Sequence, residues 1–274
     1  MAPDSNAGAI PYDSGSTITG AAMRIASRST FTARRFGAAA AAIALALLAG
    51  CASQLSADRI AAVVASPDRN AADRSMDARR KPAELLTFIG VRPGMVALDL
   101  SAGRGYTTEL IARAVGPTGK VYAQSPGRIP PPLAERARNP ATSNIVPVVR
   151  RFEDPVPSEV ADGGLDLVTL MFNYHDLGHM GVDRARMNHA IFDALKRGGM
   201  YVIADHSGRP GTGISESGTL HRIEEAFLRT EVEAAGFRLA ASSNFLRNPA
   251  DPRDRNTPEP AMAKDEFVLK FVKP

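Results

Sequence analysis

The chain has 274 residues, a formal net charge of +4 and a single cysteine. That length holds one large domain or two small ones, and one cysteine excludes an intramolecular disulfide. Charges of both signs are mixed along the chain, with no basic block or aromatic platform, so no nucleic-acid partner is expected.

The first fifty residues read as an address rather than a fold. Arg24, Arg28, Arg34 and Arg35 precede an uncharged run from Phe36 to Ala49. That run is short for a membrane span and suits the apolar region of a signal peptide. It ends in Leu48-Ala49-Gly50-Cys51, which has the form of a bacterial lipobox. Residues 1–50 are therefore expected to be a lipoprotein-type signal peptide, cleaved before Cys51, whose thiol takes a lipid anchor. Translation starts at Met1 or at Met23, which gives a more usual signal length. Ala52 stands where an aspartate would favour inner-membrane retention, which points to the periplasmic face of the outer membrane. If the signal is not used, the protein is cytoplasmic. Arg24, Arg28, Arg34 and Arg35 against Asp4 and Asp13 carry half the formal charge, which leaves the mature chain near +2.

Residues 51–81 read as a tether and an N-terminal helical segment. Ala52 to Asn70 is a short Ala-rich helix or tether, and the charged stretch from Ala71 to Lys81 has the composition of a solvated helix face. Pro82 to Ile89 suits a helix with proline in its first turn. From there to residue 274 strands and helices alternate as in a doubly wound α/β domain. Strands are predicted at Val96–Leu100, Val121–Gln124, Ile145–Val149, Leu165–Phe172, Met200–Asp205, Phe237–Ala241 and Phe267–Val272. Helices are predicted at Tyr106–Val115, Leu133–Arg138, Arg184–Lys196 and Leu220–Ala235. The last of these places Leu220, Ile223, Phe227 and Val232 toward one side. Gly198-Gly199 and Gly236 read as helix stops. The Gly208–Gly218 loop looks mobile enough to gate a pocket.

The first strand, loop and helix carry the strongest signal. Asp99 ends an apolar run, and Ser101-Ala102-Gly103-Arg104-Gly105-Tyr106 follows. Glycines let a backbone approach a ligand closely, and the helix N-terminus behind them offers free N–H groups. The spacing lacks the third glycine of the dinucleotide fingerprint, because Thr108 stands there. Together with Val91-Arg92-Pro93-Gly94-Met95 and Gly116-Pro117-Thr118-Gly119-Lys120-Val121, this pattern resembles the class I S-adenosylmethionine-dependent methyltransferases. The chain is similar, more closely, to bacterial proteins known only as predicted methyltransferases.

The resemblance runs from Pro82 to Lys273. It implies a seven-stranded Rossmann-like sheet, mostly parallel with the last strand antiparallel and helices on both faces. It implies S-adenosylmethionine as cofactor, held by Asp99, Ser101, Ala102, Gly103, Gly105 and Tyr106. Ser101 replaces a usual glycine. Gln124 stands where relatives carry an acidic residue on the ribose, Glu153 and Asp154 where adenine is contacted, and Asn173 at the end of the fourth strand. A solvated acidic turn is the alternative for the Glu153-Asp154 pair. The segment before the first strand often covers the cofactor in this family.

Asn173-Tyr174-His175-Asp176 faces the reactive methyl in the family's geometry, and plant-type O-methyltransferases carry a similar His-Asp pair. His175 is then the candidate general base and Asp176 its orienting partner or a helix cap, because an alcohol or phenol must lose a proton as it is methylated. Tyr174, His206, His221 and Arg222 are candidates for an acceptor pocket, the two histidines having a plain loop role as their alternative. No metal is expected, since the histidines lie on separate segments without ligand-like spacing. The partners are thus a small-molecule acceptor and a membrane, with the oligomeric state open. An exported protein would meet little S-adenosylmethionine, so a degenerate scaffold that only binds a ligand is the alternative function.

Overall fold

The computed structural model describes residues 54–274; the expected signal segment and Cys51 lie outside the described residues. Among the described residues, three helices precede the sheet. Ser56 caps α1 (Ala57–Val64) by accepting from the Arg59 N–H, and the apolar face of α1 buries Ile60 and Val63. Asn70 caps α2 (Ala71–Arg80) in the same way, and Pro82 opens α3 (Pro82–Ile89). Residues Ala52–Pro274 form one compact unit, so the segment before Pro82 packs with the sheet that follows. No helix among the described residues is long and apolar enough to cross a membrane.

The sheet has seven strands: β1 (Val96–Leu100), β2 (Lys120–Ser125), β3 (Ile145–Val149), β4 (Leu165–Met171), β5 (Leu195–His206), β6 (Arg238–Ser243) and β7 (Glu266–Val272). Their order is β3-β2-β1-β4-β5-β7-β6. Strands β1 to β5 are parallel, and β7 runs antiparallel to both β5 and β6. Helices α4 (Tyr106–Val115), α5 (Pro131–Arg138) and α7 (Arg184–Ala194) make the crossovers that parallel pairing requires. This is a Rossmann-like sheet, mostly parallel, with helices around it.

Side-chain alternation sorts the strands onto two cores. Leu98, Leu100, Tyr122, Val168, Leu170, Tyr201 and Ile203 fill one face with large side chains. Ala97, Val121, Ala123, Leu167, Val202 and Ala204 line the other, whose smaller residues let α3 and α4 lie close to the sheet. Strand order reverses at β1, between β2 and β4. The crevice beyond the carboxyl ends at such a reversal is where open α/β sheets bind ligands.

Two predicted elements differ from the structure. The helix expected over Arg184–Lys196 ends at Ala194, and β5 starts at Leu195 instead of Met200. Gly198 and Gly199 sit inside the strand, where backbone bonds to Lys273 extend it. The helix expected over Leu220–Ala235 is two elements: a single turn α8 (Ser217–Leu220) and a true helix α9 (Glu225–Ala234). His221 breaks them apart at φ 52°, and Ile223 bonds through its backbone to His206 and Gly208. An apolar spacing shared by two short elements had the period of one helix.

Candidate active site at the switch point

The loop after β1 takes the left-handed turn its composition implies. Ser101, Gly103 and Gly105 have φ of 54°, 54° and 87°, so Ser101 accepts a conformation that glycine would take at less cost. Gly105 is needed for close packing as well, since a Cβ there would lie 2.8 Å from Arg136 Cδ. The loop is fastened from behind. The Ser101 N–H donates to Gln124 Oε1 at 2.8 Å, and the Ala102 N–H donates to the Gln124 carbonyl at 2.9 Å. Gln124 Nε2 donates in turn to the Arg150 carbonyl at 2.6 Å. Gln124, expected at the ribose, is therefore fully buried behind the loop with both ends of its amide engaged. Beside it, the buried Ser125 hydroxyl has no partner.

A cleft of about 490 Å³ opens in front of the loop. Asp99, Ser101, Ala102, Gly103 and Tyr106 line it, so the structure brings these predicted residues together. Asp99 lies at the base, 2% exposed, and accepts from Thr108 Oγ1 at 2.5 Å and Thr169 Oγ1 at 2.7 Å. Burial pushes its pKa up to about 6, against the pull of those hydroxyls. Glu153 and Asp154 do not reach the cleft; they sit in a turn, paired with Arg151 at 3.4 Å and Arg150 at 2.5 Å.

The far wall is helix α2, which the charge pattern suggests is merely solvated. Asn70, Asp73, Met76 and Arg80 line the cleft from this side. The Arg80 guanidinium lies 4.1 Å from the centre of the Phe172 ring, and its buried Nε has no hydrogen-bond partner. Asp77 latches α2 in place. It accepts two bonds of 2.8 Å from Arg69 and one of 2.7 Å from the Tyr106 hydroxyl. Asp73 pairs with Arg136 of α5 at 2.6 Å. Arg80 escapes sequence reasoning because its charge looks like its neighbours' charges; only its burial sets it apart.

Beyond Phe172 lies a second polar cluster. Phe172 has φ 59°, a strained conformation for an aromatic residue, and it directs the chain into the short helix α6 (Asp176–His179). His175 is 3% exposed. Asp205, fully buried at the end of β5, accepts from the His175 N–H at 2.8 Å and from its Nδ1 at 2.6 Å. His175 Nε2 lies 3.0 Å from Asp176 Oδ1, and His221 Nδ1 approaches the same oxygen at 2.7 Å. Asn173 Nδ2 donates to Asp176 Oδ2 at 3.1 Å, so it acts on Asp176. Desolvation lowers the basicity of His175, but the bond to Asp205 and the charges of Asp205 and Asp176 outweigh it, for a net upward direction.

His206 stacks between Phe172 and His175, with ring centres 5.5 and 5.3 Å away. Its Nδ1 lies 3.0 Å from Glu266 Oε1 without hydrogen-bond alignment, and burial drives its pKa down. The loop expected to gate a pocket is seated on α6. Ser217 donates to the His175 carbonyl and accepts from the His179 N–H, and a Cβ on Gly178 would come within 2.7 Å of Ile214.

Two residues expected in an acceptor pocket lie elsewhere. The Tyr174 side chain points into the core, where its hydroxyl donates to Glu231 and accepts from Asn188. Arg222 is fully buried in an ion pair with Asp251 at 2.8 Å and donates to the Ser207 and Arg255 carbonyls. It fixes the Arg247–Lys264 connection, so its charge has a structural partner already.

No protein-family model matches the chain. It is similar to a protein-L-isoaspartate O-methyltransferase from Arabidopsis thaliana, 30% identical over 148 residues, which covers 53% of this chain and 62% of that one. It is also similar to a ubiquinone/menaquinone biosynthesis C-methyltransferase from Burkholderia multivorans, 28% identical over 117 residues, 43% of this chain and 45% of the other. The chain spans roughly half the length of the curated relatives it matches. Among solved structures, a SAM-dependent methyltransferase from Aquifex aeolicus superposes with a TM-score of 0.54 at 18% identity, over 81% of this chain and 100% of that one. Strand order, switch point and superposition agree: this chain has the class I methyltransferase fold.

Proposed function

We propose that the protein transfers the methyl group of S-adenosylmethionine to a small acceptor with an ionisable hydroxyl. The observation that carries this reading is the pairing, in one cleft, of a half-buried guanidinium without an ion-pair partner and a buried carboxylate. Arg80 lines it from the wall formed by α2, and Asp99 lies at its base. That arrangement suits a ligand with a carboxylate and an ammonium group, as the methionine end of the cofactor has. The turn at Ser101–Gly105 and the N-terminus of α4 complete a polar cradle. The cofactor supplies a sulfonium-activated methyl group; the protein binds it, aligns the acceptor and receives a proton. Similarity to named methyltransferases supports the same reading.

His175 is the group on the acceptor side. In its simplest form the step uses Asp205 to hold Nδ1 and leaves Nε2 to take the acceptor proton as a general base, with Asp176 alongside. The lipobox at Cys51 supports a lipid-anchored, exported protein in this reading. One observation favours the alternative of a non-catalytic binding protein: Gln124 puts no carboxylate on the ribose side, and its amide is engaged elsewhere.

Thermal unfolding with and without ligand tests the proposal. At a hundredfold excess over Kd, S-adenosylmethionine or S-adenosylhomocysteine stabilises by about 2.7 kcal/mol, a rise of roughly 5–10 °C for a unit of this size. No shift with either ligand at millimolar concentration contradicts it.

A further inference from the structure

Four of the chain's five histidines meet at the ends of β4 and β5. The fifth, His189, is exposed on α7. Within the group, His175, Asp176 and His221 each offer one donor atom, all within 4.8 Å of one another. We propose that His175 Nε2, Asp176 Oδ1 and His221 Nδ1 bind a divalent first-row transition-metal ion.

The hydrogen bonds leave two ring nitrogens facing one carboxylate oxygen. Asp205 accepts from its neighbours only: the His175 N–H, the His206 N–H and His175 Nδ1. A neutral His175 therefore keeps its proton on Nδ1 and turns the Nε2 lone pair toward Asp176 Oδ1, 3.0 Å away. A positive charge between them, a proton or a metal ion, relieves the repulsion of two lone pairs at that separation. His221 Nδ1 converges on the same oxygen at 2.7 Å, so one metal ion within reach of all three donors would take the place of the protons there.

The distances and supports also suit an ion. Ligands about 2.1 Å from a metal stand about 3.0 Å apart at right angles and about 3.4 Å apart in a tetrahedron. The 3.0 Å pair matches the first value, and the 2.7 Å pair opens slightly to admit the ion. A ligand imidazole held through its other nitrogen by a carboxylate is the usual outer support of such sites, and Asp205 provides it. Asn173 does the same for Asp176 through Oδ2. His221 holds its position at φ 52° and Phe172 holds φ 59°. Such backbone strain persists where a site demands it. Two imidazoles and one carboxylate select zinc or iron(II)-like ions over magnesium or calcium, and three protein ligands leave positions open. His179, with Nδ1 3.9 Å from Asp176 Oδ1, borders that open side.

Ion binding stands on this geometry alone. Its consequence, that the open positions take the acceptor's oxygen, rests on the methyl-transfer reading. An ion on Nε2 displaces the proton-accepting role from His175, so the two uses of that atom exclude each other.

Equilibrium dialysis of the full-length, chelator-treated protein against Zn(II), and against Co(II) with visible absorption as readout, tests the site. The expected result is one equivalent per chain. Affinity should fall roughly ten- to a hundredfold in His221→Ala, Asp176→Asn and Asp205→Asn, and stay unchanged in His189→Ala. Binding below one equivalent in the native protein, or binding indifferent to the first three substitutions in variants that melt cooperatively, overturns it. S-adenosylmethionine titration of the same samples keeps the two proposals apart. One equivalent of metal without cofactor binding supports the metal site and removes the methyl-transfer reading. Cofactor binding without metal removes the site.

Discussion

Asp99 is a carboxylate almost wholly withdrawn from water at the base of the cleft, and two threonine hydroxyls only partly replace the lost hydration. Its pKa of about 6 in the folded chain, against 3.8 ordinarily, has two consequences. The native state keeps this proton up to about pH 6, whereas the unfolded chain loses it near pH 4. Stability from this group is therefore greatest below pH 4 and falls by about 3 kcal/mol as pH rises toward 7. Asp99→Asn should then stabilise the fold at pH 7, by about 2 kcal/mol, while removing the charge that, in the proposed function, meets the cofactor ammonium. Chemical denaturation at pH 5 and pH 7 checks the first part, because the gain should shrink at the lower pH. A variant less stable than the native chain at both values would contradict the proposed ionisation. Affinity for S-adenosylmethionine in the native protein should weaken below pH 6 for the same reason.

Helix α2 shows why an element can be visible in sequence while its role is not. Its charged residues have the composition of a solvated face, and that reading fits Arg74 and Arg79. Asp73, Asp77 and Arg80 belong to the same run but are turned inward, because bonds from Arg69, Tyr106 and Arg136 hold the helix against the cleft. Nothing in their spacing says so. The β1 loop is the opposite case: Asp99, Gly103 and Gly105 carry positional meaning, since the turn needs positive φ and the base needs a buried acid. Gln124 near the end of β2, Tyr174 beyond β4 and Arg222 between α8 and α9 are polar residues whose partners come from distant segments, so burial consumes groups that the sequence leaves looking available. The latch on α2 is testable at this scale. Tyr106→Phe removes the hydroxyl bond to Asp77 and should cost about 1 kcal/mol locally. Amide exchange should quicken roughly fivefold over residues 71–80 and stay unchanged in β1 and β4. Uniform quickening would mean that α2 opens only with the whole unit.

At the scale of the molecule, the alternation of strands and helices makes the seven-stranded sheet legible in the sequence, because parallel pairing demands a crossover of each strand. The histidine cluster is not legible there. His175, His206 and His221 lie on three segments, and only the return of β5 beside β4 and the seating of the 207–224 loop bring them together. Strand order then puts the Arg80–Asp99 cleft and this cluster on the same edge of the sheet, separated by Phe172. A methyl donor in the first and an acceptor at the second would face each other across that ring. The direct measurement is calorimetric titration of S-adenosylmethionine into the native protein and into Arg80→Ala. Saturable one-site binding, weakened at least tenfold by loss of the guanidinium, is the predicted result. Absence of heat from the folded native protein, or equal affinity in both, would contradict a cofactor held at the switch point.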